Sequence, residues 1–306
     1  MGRKIIIIVG LPLFAKKMAN DLGEIDKSKK YLAFDTYYSL IDKILFFFTL
    51  PFSSLVISFN GVTDTSGTLE WVLRWKKKLI FQWMGTDALL AMERFKNGSI
   101  YRKYIDYASN FVDSPWQQEE VKSINLPIHI VPFKYGRELT PVDYYPEMTI
   151  FTYVAESRME FYGWEKIKLA AQKFPFIEFR VAGLKNVSED YPSNIKLLGW
   201  LKSEEMDKEI VTAPIFLRIT DHDGFSVTVI EALSVGAEVI WTHPSERIHW
   251  VKNEIELVHK IEELLELIKN RNLSPSVENI NFSKKTYNKI TLLRNYISNL
   301  ENLLNR

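Results

Sequence analysis

Short apolar runs alternate with stretches of helical spacing along this sequence, and the pattern occurs twice. In the first half, Lys4–Val9, Tyr31–Phe34, Leu55–Phe59, Leu79–Trp83, Asn110–Val112 and Ile128–Val131 read as short buried strands. A helix is predicted from about Phe14 to Leu22, and Pro115 opens another, since its fixed φ suits a first helical position. Residues 37–48 place Tyr37, Leu40, Ile41, Ile44, Leu45 and Phe48 on one helical face. That face is expected to pack inward, leaving Phe46 and Phe47 off it and exposed. Strands separated by helices imply a parallel, doubly wound sheet.

Four prolines at 127, 132, 141 and 146, with little periodicity between them, read as a linker. The pattern then resumes. Thr149–Val154, Ile177–Ala182, Ile195–Leu198, Ala213–Arg218 and Glu238–Trp241 are predicted strands. Helices are predicted from about Phe161 to Lys173 and from Ser203. Ser283 opens a last predicted helix, with Ile290, Leu293, Ile297, Leu300 and Leu304 along one face. The 306 residues suffice for two cores. The expected domains are 1–140, 141–282 and a C-terminal helix, 283–306.

The chemistry concentrates in Asp221–Gly236, D-H-D-G-F-S-V-T-V-I-E-A-L-S-V-G. Asp223-Gly224 reads as a tight turn. Ser226 stands where a helix N-cap belongs, and Val229, Ile230 and Leu233 form the apolar face of the helix that follows. Glu231 lies roughly 150° from the centre of that face at 100° per residue. With a short strand before it, the unit is strand, turn, helix. The backbone N–H groups of Ser226, Val227 and Thr228 form an anion site at the helix start, flanked by the carboxylates of Asp223 and Glu231. This arrangement suits a nucleotide-sugar, with a diphosphate in the middle and hydroxyls at both ends.

The stretch resembles the E-x7-E signature of the family 4 retaining glycosyltransferases, commonly E-G-F-G-x-x-x-x-E-A-x-A-x-G. Gly224, Phe225, Glu231, Ala232 and Gly236 match it, whereas Asp223, Ser226 and Ser234 replace Glu, Gly and Ala. The resemblance implies an α/β GT-B fold: two facing Rossmann-like doubly wound parallel-sheet domains, with the C-terminal helix crossing back. It implies that the first acid contacts the donor sugar and the second the ribose hydroxyls. The reaction it implies is retaining, metal-independent transfer of a hexose from a UDP- or GDP-sugar to a glycan, lipid or other acceptor, with no cofactor.

Further positions carry the resemblance less fully. Asn194-Ile-Lys-Leu-Leu-Gly-Trp-Leu is similar to the family's strand preceding the nucleotide base, which makes Trp200 and Leu201 donor-side candidates. Trp200 would stack on a base or simply pack. The family's Arg-x4-Lys diphosphate clamp is broken here. Arg158 remains, Tyr162 stands where the lysine is expected with the spacing off by one, and Lys185 is a candidate replacement. Arg158 would clamp phosphate bidentately, or be a solvated surface cation. On the acceptor side stand Gly10, after the first strand, and Gly85, Thr86 and Asp87 in Trp83-Met-Gly-Thr-Asp. That segment is similar to W-x-G-[ST]-D in some prokaryotic family 4 proteins. Asp87 would bind acceptor hydroxyls or cap a helix beginning at Ala88.

Composition removes other classes. A net charge of +1 gives no basic field for nucleic acid. The chain has no cysteine, which removes disulfide scaffolds and cysteine-ligated zinc and fits a cytoplasmic setting. The five histidines show no metal-ligand spacing, and no dinucleotide fingerprint or nucleophile elbow occurs. The apolar start reads as a strand rather than a signal peptide. Gly2 does not fit myristoylation, since Ile6 stands where Ser or Thr is required. Phe46, Phe47, Trp71, Arg74, Trp75 and Lys76–Lys78 mix aromatics with cations, so a peripheral dock on an anionic membrane surface is a further expectation. The alternatives to a transferase are a non-catalytic scaffold or sugar-binding protein with this fold, or a nucleotide-sugar epimerase.

Overall fold

The isoleucine run at the start forms β1 (Lys4–Gly10), fully buried from Ile6 onward. Such a run needs cover on both faces, which a parallel sheet flanked by helices supplies. The computed structural model describes residues 3–305, so the Gly2 question, with Met1 and Arg306, lies outside the described residues. After β1 come α1 (Pro12–Ile25), β2 (Lys29–Ala33), α2 (Leu40–Thr49), β3 (Ser53–Phe59), α3 (Gly67–Arg74) and β4 (Lys78–Gln82). Then follow α4 (Thr86–Lys96), α5 (Lys103–Tyr107), β5 (Ser109–Val112), α6 (Pro115–Lys122) and β6 (Ile128–Ile130). Strand order is β2-β1-β3-β4-β5-β6, all parallel. The order reverses between β1 and β3, where Gly10 has φ +101° and a Cβ would lie 2.5 Å from the Phe59 carbonyl oxygen. Only glycine fits that approach.

The second sheet is built from β7 (Thr149–Tyr153), α7 (Trp164–Lys173), β8 (Glu178–Ala182), β9 (Ile195–Gly199), α8 (Ser203–Thr212) and β10 (Ile215–Arg218). It continues with α9 (Val227–Ser234), β11 (Glu238–Trp241), β12 (His249–Trp250), α10 (Glu254–Asn270) and α11 (Val277–Thr286). Its order is β12-β11-β10-β7-β8-β9, again all parallel, with the reversal between β7 and β10. The last helix, α12 (Lys289–Leu304), belongs to the first unit. Lys289 Nζ lies 2.6 Å from Asp21 Oδ1, and Lys29 Nζ lies 2.8 Å from Glu301 Oε1. Tyr296 packs edge-on against Phe111 and Phe133.

The chain therefore divides into Met1–Lys134 with Lys289–Arg306, and Tyr135–Asn288. Residues 135–140, expected in the first domain, group with the second. The expected single helix from Ser283 is two helices. Ser283 lies buried inside α11, and only α12 returns to the first unit.

The largest correction concerns α2. It starts at Leu40, where the Ser39 hydroxyl accepts from the Asp42 N–H, rather than at residue 37. Its orientation is the reverse of the expected one. Phe46 is the buried residue, at 3% exposure, and meets Phe34 edge-on, while Leu40, Ile41, Ile44, Leu45 and Phe48 are exposed. Among the described residues no helix is long and apolar enough to cross a membrane.

Candidate functional site

In an open parallel sheet, the loops leaving the strand ends diverge where strand order reverses, and a crevice opens between them. In the second unit that point lies between β7 and β10. The segment after β7 carries Arg158 and Tyr162, and the loop after β10 carries Asp223. The two are fastened together. The Asp221 N–H donates to the Phe161 carbonyl at 3.1 Å. A Cβ on Gly163 would fall 2.4 Å from Ile219 Cγ2, so that contact requires glycine.

Asp223 is held by a residue that the sequence reading missed. Arg218, the last residue of β10, donates through Nε to Asp223 Oδ2 at 2.7 Å, with Nη2 also 2.7 Å from that oxygen. Both side chains are largely buried. The Arg218 guanidinium lies over the Tyr162 ring, 5.2 Å from its centroid. A cation at the end of an apolar strand loses hydration, and the carboxylate and the ring face offset part of that cost. Tyr162 occupies the place where the resemblance leads one to expect lysine, and the guanidinium of Arg218 now lies over it. The available signal was a lone arginine closing Ile-Phe-Leu-Arg, five residues before Asp223.

The helix after the turn forms as expected. Ser226 is the N-cap of α9, with no side-chain hydrogen bond to the helix, and Val229, Ile230 and Leu233 are buried. Val227 and Thr228 begin the helix half-buried, Gly224 before it is buried, and Phe225 packs between Trp241 and Tyr287. Glu231 leaves the apolar face as its spacing requires, yet it is only 2% exposed. The segment Tyr135-Gly136-Arg137 covers it. A Cβ on Gly136 would sit 2.8 Å from Glu231 Cγ. Arg137 donates from Nε to Oε1 at 2.7 Å, from Nη2 to Oε2 at 2.9 Å, and from its backbone N–H to Oε1 at 3.1 Å. Arg137 Nη1 also donates to the Ser203 hydroxyl at 2.7 Å and pairs with Asp207, both on α8. Arg137 too was missed, because it stands 94 residues from its partner in a segment that reads as linker.

The remaining candidates of the second unit lie at or near its surface. Trp200 directly follows β9 with 81% of its surface exposed, beside half-buried Leu201. Lys185 is exposed, its Cβ 3.6 Å from where a Gly199 Cβ would stand. Arg158 is exposed, 5.9 Å from the Phe161 ring centroid.

In the first unit, Asp87 is a loop-fixing residue. It is buried, and its carboxylate accepts the N–H groups of Gly61 (2.6 Å), Met84 (2.9 Å), Gly85 (2.8 Å) and Ala88 (3.1 Å). Burial pushes this carboxyl above the ordinary carboxylate range, although all four N–H groups pull it down. Gly85 caps α4, which starts at exposed Thr86, two residues before the expected Ala88. Thr86 and Asp87 border a cavity of about 620 Å³. Gly10 borders another of about 490 Å³.

No family model matches the chain, and no curated protein matches it. Solved structures do. Sucrose-phosphate synthase from Thermosynechococcus elongatus matches with a TM-score of 0.71 at 12% identity, over 98% of this chain and 99% of that one. A glycosyltransferase from Rickettsia africae gives 0.69 at 12% identity, over 99% of both chains. A UDP-GlcNAc 2-epimerase from Neisseria meningitidis, bound to UDP-GlcNAc, gives 0.56 at 13% identity, over 99% of this chain and 100% of that one. At such identities the likeness shows the fold. Two units, each with a six-stranded parallel sheet flanked by helices, form the GT-B fold.

Proposed function

We propose that this chain is a retaining glycosyltransferase that moves a hexose from a UDP- or GDP-sugar to an acceptor. The observation that carries the reading is the Arg218–Asp223 pair at the switch point of the second sheet, directly before the start of α9, the helix that bears Glu231. Each part matches one piece of a nucleotide-sugar. Helix N–H groups and a cation suit the diphosphate. Glu231 suits the ribose diol, exposed Trp200 a base, and Asp223 the sugar.

Arg218 takes the role that the absent lysine would have, with Arg158 at the rim. As the bond between the anomeric carbon and the phosphate oxygen breaks, these cations stabilise charge gathering on the leaving diphosphate. The acceptor oxygen bonds to the anomeric carbon on the same face, and its proton passes to the departing phosphate oxygen. No protein nucleophile enters this scheme, and metal-independent chemistry is part of the proposal.

A thermal-shift panel of nucleotides and nucleotide-sugars tests it. A ligand at a hundred times its Kd adds about 2.7 kcal/mol to the native state. Stabilisation by one nucleoside diphosphate and its sugars is expected. A flat panel would leave the scaffold reading, which the occupied Glu231 favours. The likeness to an epimerase structure keeps that activity as a second reading. Isomerisation of the donor without any acceptor would establish it.

A further inference from the structure

The face of α2 that the sequence marks as apolar points away from the core. Leu40, Ile41, Ile44, Leu45 and Phe48 recur at helical spacing and are all exposed, Ile41 at 70% and Phe48 at 67%. Scattered surface apolar residues need no explanation, but a regular stripe is built to be covered. The patch continues through Phe47, which meets the Trp71 ring edge-on at 4.9 Å, and Arg74 lies over that ring at 5.1 Å. Lys77 donates to the carbonyls of Pro51 and Ser53, which ties the segment of exposed Trp75 and Lys76 to the segment that carries exposed Phe52.

Charge identifies the cover. The exposed cations here are Lys43, Arg74 and Lys76, whereas the nearby acids are spent internally. Asp42 accepts from the Asp35 N–H, Asp35 accepts from the N–H groups of Tyr37 and Tyr38, and Glu70 is held by Lys103 and Tyr104. Aromatics and aliphatics rimmed by cations, without free carboxylates, suit an anionic lipid surface.

A second observation gives this surface a use. The 490 Å³ cavity beside Gly10 is walled by Phe47, Trp71 and Lys43 together with the hydroxyl residues Ser58, Thr65 and Thr68. Its walls thus share Phe47 and Trp71 with the apolar patch. We propose that α2 and the end of α3 dock on an anionic membrane, and that the acceptor is a lipid of that membrane. Its polar head enters the cavity towards Gly10, while its chains stay against α2. The acceptor half rests on the transferase reading, and the docking half stands without it.

Co-sedimentation of the full chain with phosphatidylcholine vesicles, with and without phosphatidylglycerol, tests the docking half. Binding to the anionic vesicles that weakens with salt is expected. Ile41→Glu with Phe48→Glu should reduce it at least about tenfold. Both side chains are exposed and outside the cavity, so circular dichroism and nucleotide affinity should not change. Binding that survives the double substitution overturns the surface. A concentration-dependent dimer that the same substitution dissolves, without vesicle binding, assigns the face to a second copy instead. With the donor from the nucleotide panel, radiolabelled sugar should pass to vesicles of total bacterial polar lipid and extract into organic solvent. Label found only on soluble sugars overturns the acceptor half, whereas absence of nucleotide binding overturns the transferase reading and leaves docking untouched.

Discussion

Arg137 closes both oxygens of the Glu231 carboxylate, Nε at 2.7 Å from Oε1 and Nη2 at 2.9 Å from Oε2, and adds its own backbone N–H. The acid assigned to the ribose is therefore engaged by the protein's own arginine. A bidentate pair of this kind is strong and directional. It also competes with any diol that needs the same lone pairs.

The first prediction follows from that competition. Arg137→Ala leaves a buried carboxylate without its cation, so native stability should fall by about 1–3 kcal/mol, nearer the lower figure because the arginine is partly hydrated. Nucleotide affinity should rise by roughly threefold or more, since the diol no longer displaces a guanidinium. Calorimetric titration of both proteins with UDP and GDP checks it. Affinity that falls together with stability would mean that Arg137 and Glu231 bind the nucleotide as one unit.

Arg218 gives the second prediction. A charge-assisted hydrogen bond is worth about 1.5–3 kcal/mol. Arg218→Gln should therefore weaken nucleoside diphosphate binding about ten- to a hundredfold, with a much smaller effect on the nucleoside. Adding Tyr162→Lys to Arg218→Gln returns a cation to the same place and should restore much of the loss. Equal losses for diphosphate and nucleoside, with no rescue, would reduce Arg218 to a support for Asp223.

The elements differ in how plainly their sequence marks them. Parallel sheets and the α9 unit were legible because burial on both faces leaves unbroken apolar runs, such as Ile5–Val9. The roles of Arg218 and Arg137 were not legible. Arg218 closes a strand, and its meaning depends on Tyr162, 56 residues earlier. Arg137 lies in a proline-rich segment with no periodicity to mark it. The orientation of α2 failed for a different reason. Spacing reports which residues share a face, and what covers that face is a separate fact. The stripe Leu40–Phe48 was read correctly as a stripe and wrongly as core.

The third prediction concerns acid stability in the first unit. Burial alone would raise the Asp26 carboxyl, but hydrogen bonds from Lys29, Ser28 and Tyr31 outweigh it and hold it well below the ordinary range. Lys29 in turn reaches Glu301 on α12. A carboxyl depressed in the folded state stabilises above its unfolded value, about 3.9. That stability is lost as pH falls through this value towards the folded one. Asp26→Asn should lower stability at neutral pH and flatten the acid limb below pH about 4. An unchanged acid limb in urea denaturation at a series of pH values would show that the cluster does not hold the unit against acid.

The last prediction separates the two acids of the motif. Glu231 should bind the ribose equally in the bound donor and in the transition state, so its loss removes uniform binding. Glu231→Ala is expected to raise the donor KM by roughly ten- to a hundredfold with little change in kcat. Asp223 should lie against the sugar, where positive charge develops as the bond to phosphate breaks. Its carboxylate helps most at that moment, so Asp223→Asn should lower kcat by about a hundredfold. Arg218 adds a complication, because Asp223 is also its ion-pair partner. Neutralising Asp223 frees the guanidinium for the diphosphate. Free nucleoside diphosphate should therefore bind the Asp223→Asn variant as tightly as the parent or more tightly, even as turnover falls. Affinity that drops along with kcat would mean that Asp223 only holds Arg218 in place, and that the sugar meets neither of them.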